Sequence, residues 1–510
     1  MSLFSAQLHP GRALGFLVLG ASLHDVLTRL KAEPQRFPKI HLAYHPQDPV
    51  RTQIHVGLPA NGLRLRFDGP EQRLRLIEVV DFGRIHIFLK PANDKERDLV
   101  RPQAAAAAAA AAGDGAAGPT FRHIYQRFLG PTYDGEYVAA DQTYLLSYPG
   151  VAFSFPLPRD AYDAAKDVVS LLPAAAVPGS MAVFSGASWA AARAALWSEV
   201  LPSVRLFPPL AKGRDASPDE VSLVRVHGAG RLQLVRRWSG ASSWIALGET
   251  TPQQLVAELG PPDAIYRKSD QRMYIHKSRR DDPTDTDQSS SHPASDADDA
   301  RDEAVEDGGG DGDGDADADA DGPGAGGATR ECFYNYFYLG FDVLVSPPTE
   351  PHNPPAPCRP EAAPPASPDR DVATKLIVHG NVPGSYPFNR YRRCRWEIAY
   401  LPDGAATSET PFPEVEERLR AAWAPAYASA DEARQSQRGM VLNRGWGDSP
   451  GSSCELLGGW EGDADADARP ADHGNNLRGR GEDTTTTLYG FPGLVFEVLK
   501  TGWVSAVTVF

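Results

Sequence analysis

Cysteine is scarce in this sequence, and its spacing excludes the common metal sites built from thiolates. The four cysteines are Cys332, Cys358, Cys394 and Cys454. None of them forms a C-x-x-C pair, so no zinc knuckle is predicted. Scattered single cysteines are typical of proteins from a reducing compartment. We therefore expect neither a metal site nor a cofactor.

Long apolar runs are missing as well. No stretch approaches the roughly 20 consecutive apolar residues that a membrane-spanning helix needs. The apolar segment 14–19 is short and lacks a signal-peptide cleavage pattern, so it predicts a first β-strand rather than a leader. Nothing in the sequence directs the chain to secretion, and a cytoplasmic protein is expected.

Motifs for phosphate and metal chemistry are absent or incomplete. No GxxxxGK[ST] or GxGxxG motif follows a predicted strand. Residues 311–322 begin like a calcium loop, but Ala316 and Gly322 stand where an EF-hand needs glycine and glutamate. Four histidines show neither HExxH nor HxH spacing: His276, His292, His379 and His473.

One pattern resembles a hydrolase motif. Ser449 lies in a G-x-S-x-G sequence, which in α/β-hydrolases forms a sharp turn between a strand and a helix. Here Pro450 follows the serine, the surrounding sequence is typical of a loop, and no histidine and acid partners stand out. We predict that the protein is not an enzyme, and a hydrolase acting through Ser449 is the enzymatic alternative.

The formal net charge of −15 comes from one segment. Residues 281–321 contain 17 aspartates and glutamates and one arginine, which leaves 49 acidic and 50 basic residues in the rest of the chain. Bulk charge therefore gives no reason to expect nucleic-acid binding. Residues 278–329 contain almost no apolar side chains, so they cannot offset the entropy of ordering and are predicted to be disordered.

Four glycine-led segments share one alternating pattern. In each, a glycine precedes apolar residues at the first, third and fifth positions, as in a half-buried β-strand. The segments are 61–67 (NGLRLRF), 149–155 (PGVAFSF), 340–346 (GFDVLVS) and 492–498 (PGLVFEV).

A short helical pattern precedes each of these strands. The helices are predicted within 22–30, 120–131, 251–262 and 412–423. Ser22, Thr120 and Thr251 are the predicted N-caps of the first three helices. The irregular spacing favours four degenerate copies of one helix-then-strand unit over a solenoid of fixed period.

The fold class predicted is α+β, with repeated modules of a short helix packed on an antiparallel β-sheet and long disordered insertions. With 510 residues, the chain has room for several domains. The predicted modules are residues 1–100, 119–243, 244–400 and 401–510. The predicted insertions in surface loops are 101–118 (rich in alanine and glycine), 278–329 (acidic), 347–371 (rich in proline) and 458–483 (polar).

One loop, residues 379–395, mixes arginines with aromatic residues (HGNVPGSYPFNRYRRCR). Such a mixture suits an acidic partner or a phosphoinositide head group. The candidate contact residues are Arg390, Arg392, Arg393, Arg395, Tyr386 and Tyr391. Two alternatives stay open: a structural loop with packed aromatics and solvated arginines, or arginines that pair with the acidic insertion of the same chain.

Three blocks resemble the phagophore assembly factor family, formerly an uncharacterised protein family. They are 245–277 (IALGETTPQQLVAELGPPDAIYRKSDQRMYIHK), 332–346 (CFYNYFYLGFDVLVS) and 375–398 (KLIVHGNVPGSYPFNRYRRCRWEI). A looser similarity continues through SLHDVL, LIEVVD, YPGVAFSF and the terminal GLVFEVLKTGWVSAVTVF, so it spans nearly the whole chain. The alanine run and the acidic insertion depart from the family pattern.

This resemblance implies a non-enzymatic autophagy factor with no catalytic residues or cofactor. It implies a cytoplasmic scaffold or adaptor that acts with a β-propeller protein partner and is recruited peripherally to the phagophore membrane. Direct phosphoinositide binding, or a role as a membrane-trafficking adaptor, is the alternative. The resemblance implies no nucleic acid and no small-molecule substrate.

Overall fold

The computed structural model describes residues 3–90, 95–100, 118–132, 135–198, 200–201, 204, 219–267, 331–348, 370–401, 406–443 and 485–510. Apart from a few residues at their ends, the four predicted insertions lie outside this part of the chain. Ser449 and the calcium-like sequence at 311–322 also lie outside it.

The first half of the described chain, residues 3–204, builds two sheets. Its strands are β1 (Phe4–His9), β2 (Ala13–Leu14), β3 (Leu17–Val18), β4 (His41–Ala43), β5 (Ile54–Leu58), β6 (Leu63–Phe67), β7 (Leu74–Val79), β8 (Ile85–Leu89), β9 (Arg97–Val100), β10 (Glu136–Val138), β11 (Thr143–Tyr148), β12 (Val151–Pro156) and β13 (Ser180–Phe184). Its helices are α1 (Leu23–Ala32), α2 (Phe121–His123, continued by a π-helical turn at Ile124–Phe128), α3 (Val168–Leu171) and α4 (Trp189–Ala195).

The second half, residues 219–510, builds two more sheets. Its strands are β14 (Val221–Gly228), β15 (Arg231–Arg236), β16 (Ser242–Ala246), β17 (Ala264–Arg267), β18 (Cys332–Tyr336), β19 (Phe341–Ser346), β20 (Val372–His379), β21 (Arg395–Ile398), β22 (Met440–Asn443), β23 (Thr485–Phe491), β24 (Leu494–Leu499) and β25 (Val504–Val509). Its helices are α5 (Pro252–Leu259), α6 (Phe412–Trp423) and α7 (Ala430–Ser436).

The two halves share one topology. The smaller sheets have the strand orders β3-β2-β1-β8-β9 and β16-β15-β14-β21. The larger sheets have the orders β10-β11-β12-β13-β7-β6-β5-β4 and β22-β23-β24-β25-β20-β19-β18-β17. Each strand of the first half has a counterpart at the same place in the second, except β9. The chain is therefore an internal duplication whose unit contains two of the predicted helix-then-strand copies.

Backbone hydrogen bonds at the junction between the two sheets repeat in the same way. In the first half, Gly20 N–H donates to Leu74 O (2.8 Å) and Leu74 N–H donates to Ala21 O (2.9 Å). At the matching place in the second half, Gly248 N–H donates to Ala373 O and Ala373 N–H donates to Thr250 O, both at 2.8 Å. The duplication thus extends to individual contacts. The sheets and helices described above make the fold α+β, as predicted.

The four glycine-led segments form strands, as predicted. They are β6, β12, β19 and β24, each paired on both sides. The predicted N-caps are confirmed, because the hydroxyls of Ser22, Thr120 and Thr251 accept hydrogen bonds from the backbone three residues later. The pairing is mainly antiparallel, but β1–β8 and β14–β21 are parallel.

Two features were not expected from the sequence. The first strand is β1, while the segment at 14–19 supplies the last residue of β2 and the whole of the two-residue strand β3. Each large sheet also takes strands from two predicted modules, because β13 pairs with β7 and β25 pairs with β20. The boundaries between the modules stay a prediction.

Each half has its own apolar core. The first contains Leu65, Phe153 and Phe155, and the second contains Phe341 and Phe496, all completely buried. These residues lie at the inward positions of the glycine-led strands. Alternation along the sequence therefore places the main apolar contacts of both halves.

We predict that Phe341→Asp unfolds the second half. Burying a large apolar side chain stabilises by roughly 1.5–3 kcal/mol, and an unpaired buried carboxylate adds a further penalty. The free energy of unfolding, measured by urea titration, should fall by about 4 kcal/mol or more. Met440→Asp is the control, since Met440 lies on the edge strand β22 of the same sheet and is 68% exposed. Similar losses for both variants would contradict this assignment of the core.

Candidate functional site

The arginine-rich loop lies between the two halves. Residues 380–394 connect β20 to β21, whereas the matching connection from β7 to β8 in the first half is only residues 80–84. Phe388, which belongs to the second half by sequence, is 4% exposed and packs in the core of the first half. The extra length of this loop is therefore used for contact with the first half.

An amide pair fixes the start of the loop. Gln72 Nε2 donates to Asn381 O (2.7 Å), and Asn381 Nδ2 donates to Gln72 Oε1 (2.8 Å). Both residues have positive φ angles, 53° and 46°, a conformation that costs a non-glycine residue roughly 1 kcal/mol or more. The buried reciprocal hydrogen bonds hold both backbones in this conformation.

Arg392 lies at the centre of a buried ion network. Its guanidinium pairs with Asp25 on helix α1 and with Glu220 just before β14, where the distance is 2.9 Å. Glu220 also pairs with Arg73 at 2.5 Å. The guanidinium carbon of Arg392 lies 3.6 Å from the ring centroid of Tyr338, and only 3% of its side chain is exposed. Two arginines thus balance two carboxylates between the halves.

The pKa shifts agree with this pairing. Burial alone would raise the pKa of the Asp25 carboxyl, but the charge of Arg392, together with His24 and the Ser22 hydroxyl, outweighs it and holds that pKa well below its usual range. Burial also opposes ionisation of Glu220, and Arg73 and Arg392 together lower its pKa. Both carboxylates are therefore charged at neutral pH.

A second arginine group extends this contact. Arg393 donates to Pro70 O (2.7 Å) in the first half and to Gly380 O (2.5 Å) in its own loop. Arg395 pairs with Glu409 at 2.8 Å and lies 3.6 Å from Glu71 of the first half. Backbone carbonyls and carboxylates of this chain thus occupy the donors of both arginines.

The six candidate contact residues occupy different environments. Arg392, Arg393 and Tyr391 are buried, Arg395 and Tyr386 are half-buried, and Arg390 is exposed. The alternative of solvated arginines is wrong for Arg392 and Arg393, whose partners are carboxylates and carbonyls inside the described chain. Contact of this loop with a lipid or partner stays a prediction. Of the four candidate arginines, Arg390 is the most exposed to solvent.

Tyr391 ties the loop to strand β19. Its hydroxyl donates to Asp342 Oδ2 (2.8 Å), His379 Nε2 lies 2.9 Å from the same oxygen, and Asn335 Nδ2 donates to Oδ1 (2.8 Å). The rings of His379 and Tyr391 stack with centroids 3.7 Å apart. His379, considered above as a metal ligand, is therefore part of a structural hydrogen-bond network around a buried carboxylate.

Residue types used in hydrolases also meet on the smaller sheet of the first half. Ser5 Oγ lies 2.8 Å from His86 Nδ1, and His86 Nε2 lies 3.0 Å from Asp98 Oδ1. Sequence reasoning missed this row, because the three residues are far apart in the chain. A serine hydrolase also needs a cleft with donors for the oxyanion, whereas Ser5 lies exposed on a strand. We assign the row to cross-strand stabilisation of β1, β8 and β9.

Within the described ranges, no three or more His, Cys, Asp or Glu side chains form a group that suits a metal ion. The described helices also include none long and apolar enough to cross a membrane.

Removal of Arg392 is expected to weaken the contact between the two halves and to lower the free energy of unfolding. Arg392→Met keeps much of the apolar stem but removes one of the two arginines that neutralise the buried Glu220, which should cost about 3 kcal/mol of unfolding free energy. The Asp25 side chain is 40% exposed, so solvent screens its charge and it adds little to this cost. The matched change Arg390→Met, two residues away at an exposed position, should alter stability by less than about 0.5 kcal/mol. Urea titration of both variants tests this difference, and equal midpoints would refute the role of Arg392.

Stability should also depend on pH through these carboxylates. Their folded pKa values are depressed from 3.8 for Asp25 and 4.5 for Glu220, so their contribution is complete above about pH 5. It should be lost progressively as the pH falls from about 4.5 through the depressed folded values. Urea titrations between pH 7 and 3 measure this slope. Glu220→Gln should be less stable at pH 7 and less sensitive to acid, so an unchanged slope would argue against the network.

Comparisons with known proteins agree with the sequence resemblance. The chain matches the family described as phagosome assembly factor 1 over residues 13–292 and 321–510. The PHAF1 protein of Arabidopsis thaliana is 23% identical over 99% of this chain and 92% of its own length. The PHAF1 protein of Drosophila melanogaster is 21% identical over 97% of this chain and 90% of its own length.

A shorter match, to the PHAF1 protein of Caenorhabditis elegans, is 28% identical over 145 residues, which cover 27% of this chain and 28% of that protein. No solved structure matches this chain. The family match takes in both halves and the arginine-rich loop between them. The chain therefore belongs to the phagosome assembly factor 1 family.

Proposed function

We propose that this chain is a non-enzymatic scaffold for autophagosome formation that acts with a β-propeller protein partner at the phagophore. Membership of the family described as phagosome assembly factor 1 supports a role in autophagy. The contact between the halves supports the scaffold role. Its arginines and carboxylates pair with one another rather than converging on an open cleft.

A fixed orientation of the two halves suits partner binding. Stable protein interfaces commonly bury about 1,600 Å² in total, and a surface that already has its bound shape loses less entropy when it is buried. Phe388 and the buried ion pairs join the halves before any partner arrives, so less conformational entropy is lost on association. We therefore place the binding of the β-propeller on surfaces that this contact holds in position.

We further propose that the partner contributes most of the membrane affinity. Arg392 and Arg393 already have partners inside the chain, and moving them to a lipid head group would leave buried carboxylates unpaired. Direct binding of a phosphoinositide is the second candidate. The exposed Arg390 favours it, with its guanidinium carbon within 6 Å of the rings of Phe337 and Tyr391.

The scaffold role predicts a partner in cells. Full-length protein fused to a proximity-labelling enzyme should label a β-propeller autophagy protein in its native cell, with stronger labelling during starvation. Purified protein should co-precipitate the same partner. Absence of any autophagy component in fed and starved cells would overturn the proposal and leave the fold unaffected.

Liposome flotation separates the two routes to the membrane. Without its partner, the purified chain should float only weakly with vesicles containing phosphoinositide, and Arg390→Glu should not change that fraction. Arg231→Glu, an exposed arginine at the start of β15, is the matched control. Strong flotation that Arg390→Glu abolishes and Arg231→Glu leaves intact would establish direct lipid binding instead.

A further inference from the structure

Helix α4 covers the outer face of the larger sheet in the first half, the face away from the main core. Trp189 of this helix packs against Phe184 on β13, with ring centroids 5.1 Å apart. Ala192 and Leu196 join an apolar cluster whose other buried members lie on the sheet: Leu76, Ala152 and Phe184. Because of this cover, the Phe184 side chain is completely buried.

Two polar contacts fix the position of α4 on this face. Trp189 N–H donates to Ser147 Oγ on β11 (2.8 Å). Arg193 Nη2 lies 3.5 Å from Glu136 Oε1 on β10. The helix therefore lies against the block of neighbouring strands that runs from β10 to β7.

The backbone of this face repeats in the second half. Phe184 N–H donates to Gly150 O (3.2 Å), and Phe510 N–H donates to Gly493 O (3.1 Å). Both glycines begin a glycine-led strand, so Phe510 occupies the position of Phe184. The sheet registers give the other matching positions: Val495 for Ala152, Gly490 for Ser147, Met440 for Glu136 and Lys375 for Leu76.

The matching face of the second half is open. The Phe510 side chain is 39% exposed and Val495 is half-buried, whereas Phe184 is completely buried. A Cβ placed on Gly490 would meet no atom of the described chain within 4 Å apart from its chain neighbours. Met440 is 68% exposed. Within the described ranges, no helix of the second half therefore covers this face as α4 covers the first.

Two side chains on the open face indicate which helix would fit it. Phe510 presents the aromatic surface that Trp189 covers in the first half, so an aromatic residue is expected there. Met440 stands in place of Glu136, the partner of Arg193. An apolar residue is therefore favoured where α4 carries its arginine, because a guanidinium would be desolvated against Met440 without a carboxylate to pair with.

The charge on this face also differs between the halves. Lys375 is exposed and stands in place of the buried Leu76. Its Nζ lies 6.0 Å from the centroid of the Phe510 ring. A carboxylate is thus lost at one position and an ammonium group is gained at another, so the face favours a helix that is acidic rather than basic.

We propose that this outer face binds an amphipathic helix of a protein partner, with an aromatic residue beside Phe510 and an apolar residue beside Met440. The helix lies across the strands from β22 to β20, as α4 lies across those from β10 to β7. Helices of this kind bind through apolar residues spaced along one side. The inference rests on the proposed scaffold role and assigns it a docking surface.

The test uses the full-length purified protein and a labelled synthetic peptide of residues 187–198 (ASWAAARAALWS) that carries Arg193→Leu. Its many alanines favour a helix. Fluorescence anisotropy should detect binding. Adding Trp189→Ala to this peptide should weaken binding about tenfold, since a large aromatic contact is lost. The same peptide with Arg193 kept should bind about threefold more weakly, because an exposed charge pair and its loss have small effects.

Variants of the protein locate the peptide on this face. Val495→Arg places a long charged side chain in the middle of the face and should weaken binding about tenfold. Val169→Arg is the matched control at a position of the first half that is 55% exposed, and it should leave binding unchanged. Phe510→Ala should also weaken binding about tenfold and serves if urea titration shows Val495→Arg to be unfolded. Met440→Glu restores the carboxylate of the first half and should reverse the preference, so that the peptide with Arg193 binds more tightly.

Three results with the peptide would overturn the proposal. The peptide fails to bind the wild-type protein, it binds Val495→Arg and Phe510→Ala as tightly as Val169→Arg, or Met440→Glu leaves its preference unchanged. Self-association that Val495→Arg abolishes would assign the face to a second copy of the chain instead. Binding that appears only after residues 444–484 are replaced by a short linker would assign it to that segment. Failure of the scaffold role is scored separately, when the peptide binds but no β-propeller protein co-precipitates with the wild type.

Discussion

The pairing of Arg392 with Asp25 and Glu220 is the constraint on which the arrangement of the two halves depends. Each half has its own core, and the apolar contacts between the halves include Phe388 and the cluster of Val50, Val382 and Trp503. A buried guanidinium accepts few geometries, because any other would leave charges unpaired in a low dielectric. The ion network therefore selects one orientation, and Phe388 and the Gln72–Asn381 pair add apolar and hydrogen-bonded contacts at the same place.

Duplication explains most of the fold, and its departures from symmetry explain where the chain differs from a simple pair of repeats. Both halves have the same strand order and the same junction between their sheets. They differ in the length of several connections and in β9, which has no counterpart among the described strands of the second half. The loop from β20 to β21 is long and contacts the other half, whereas only residues 500–503 connect β24 to β25, where the first half has residues 157–179 between β12 and β13. The differences in length thus lie in the connections, where they do not disturb the order of the strands.

The sequence predicts the strands and caps better than it predicts the contact between the halves. Alternation after Gly62 or Gly340 reports which side chains face a core, and Ser22 or Thr251 marks a helix start, because both signals are local. The environment of Arg392 is not local, since its partners lie near the start and the middle of the chain. An arginine beside aromatics gives the same pattern whether it meets a lipid or a carboxylate of its own chain. The family resemblance spans these residues but does not distinguish the two environments.

The Gln72–Asn381 contact has a consequence for biosynthesis, because its two residues are 309 positions apart in the chain. The first half can complete its sheets on the ribosome once residue 184 has emerged, yet the apolar site for Phe388 stays unfilled until much later. Contacts of such separation form slowly and leave an intermediate with exposed apolar surface. The nascent first half therefore exposes apolar surface for the whole time that the second half is being translated. A chaperone that covers this surface would protect the chain from aggregation.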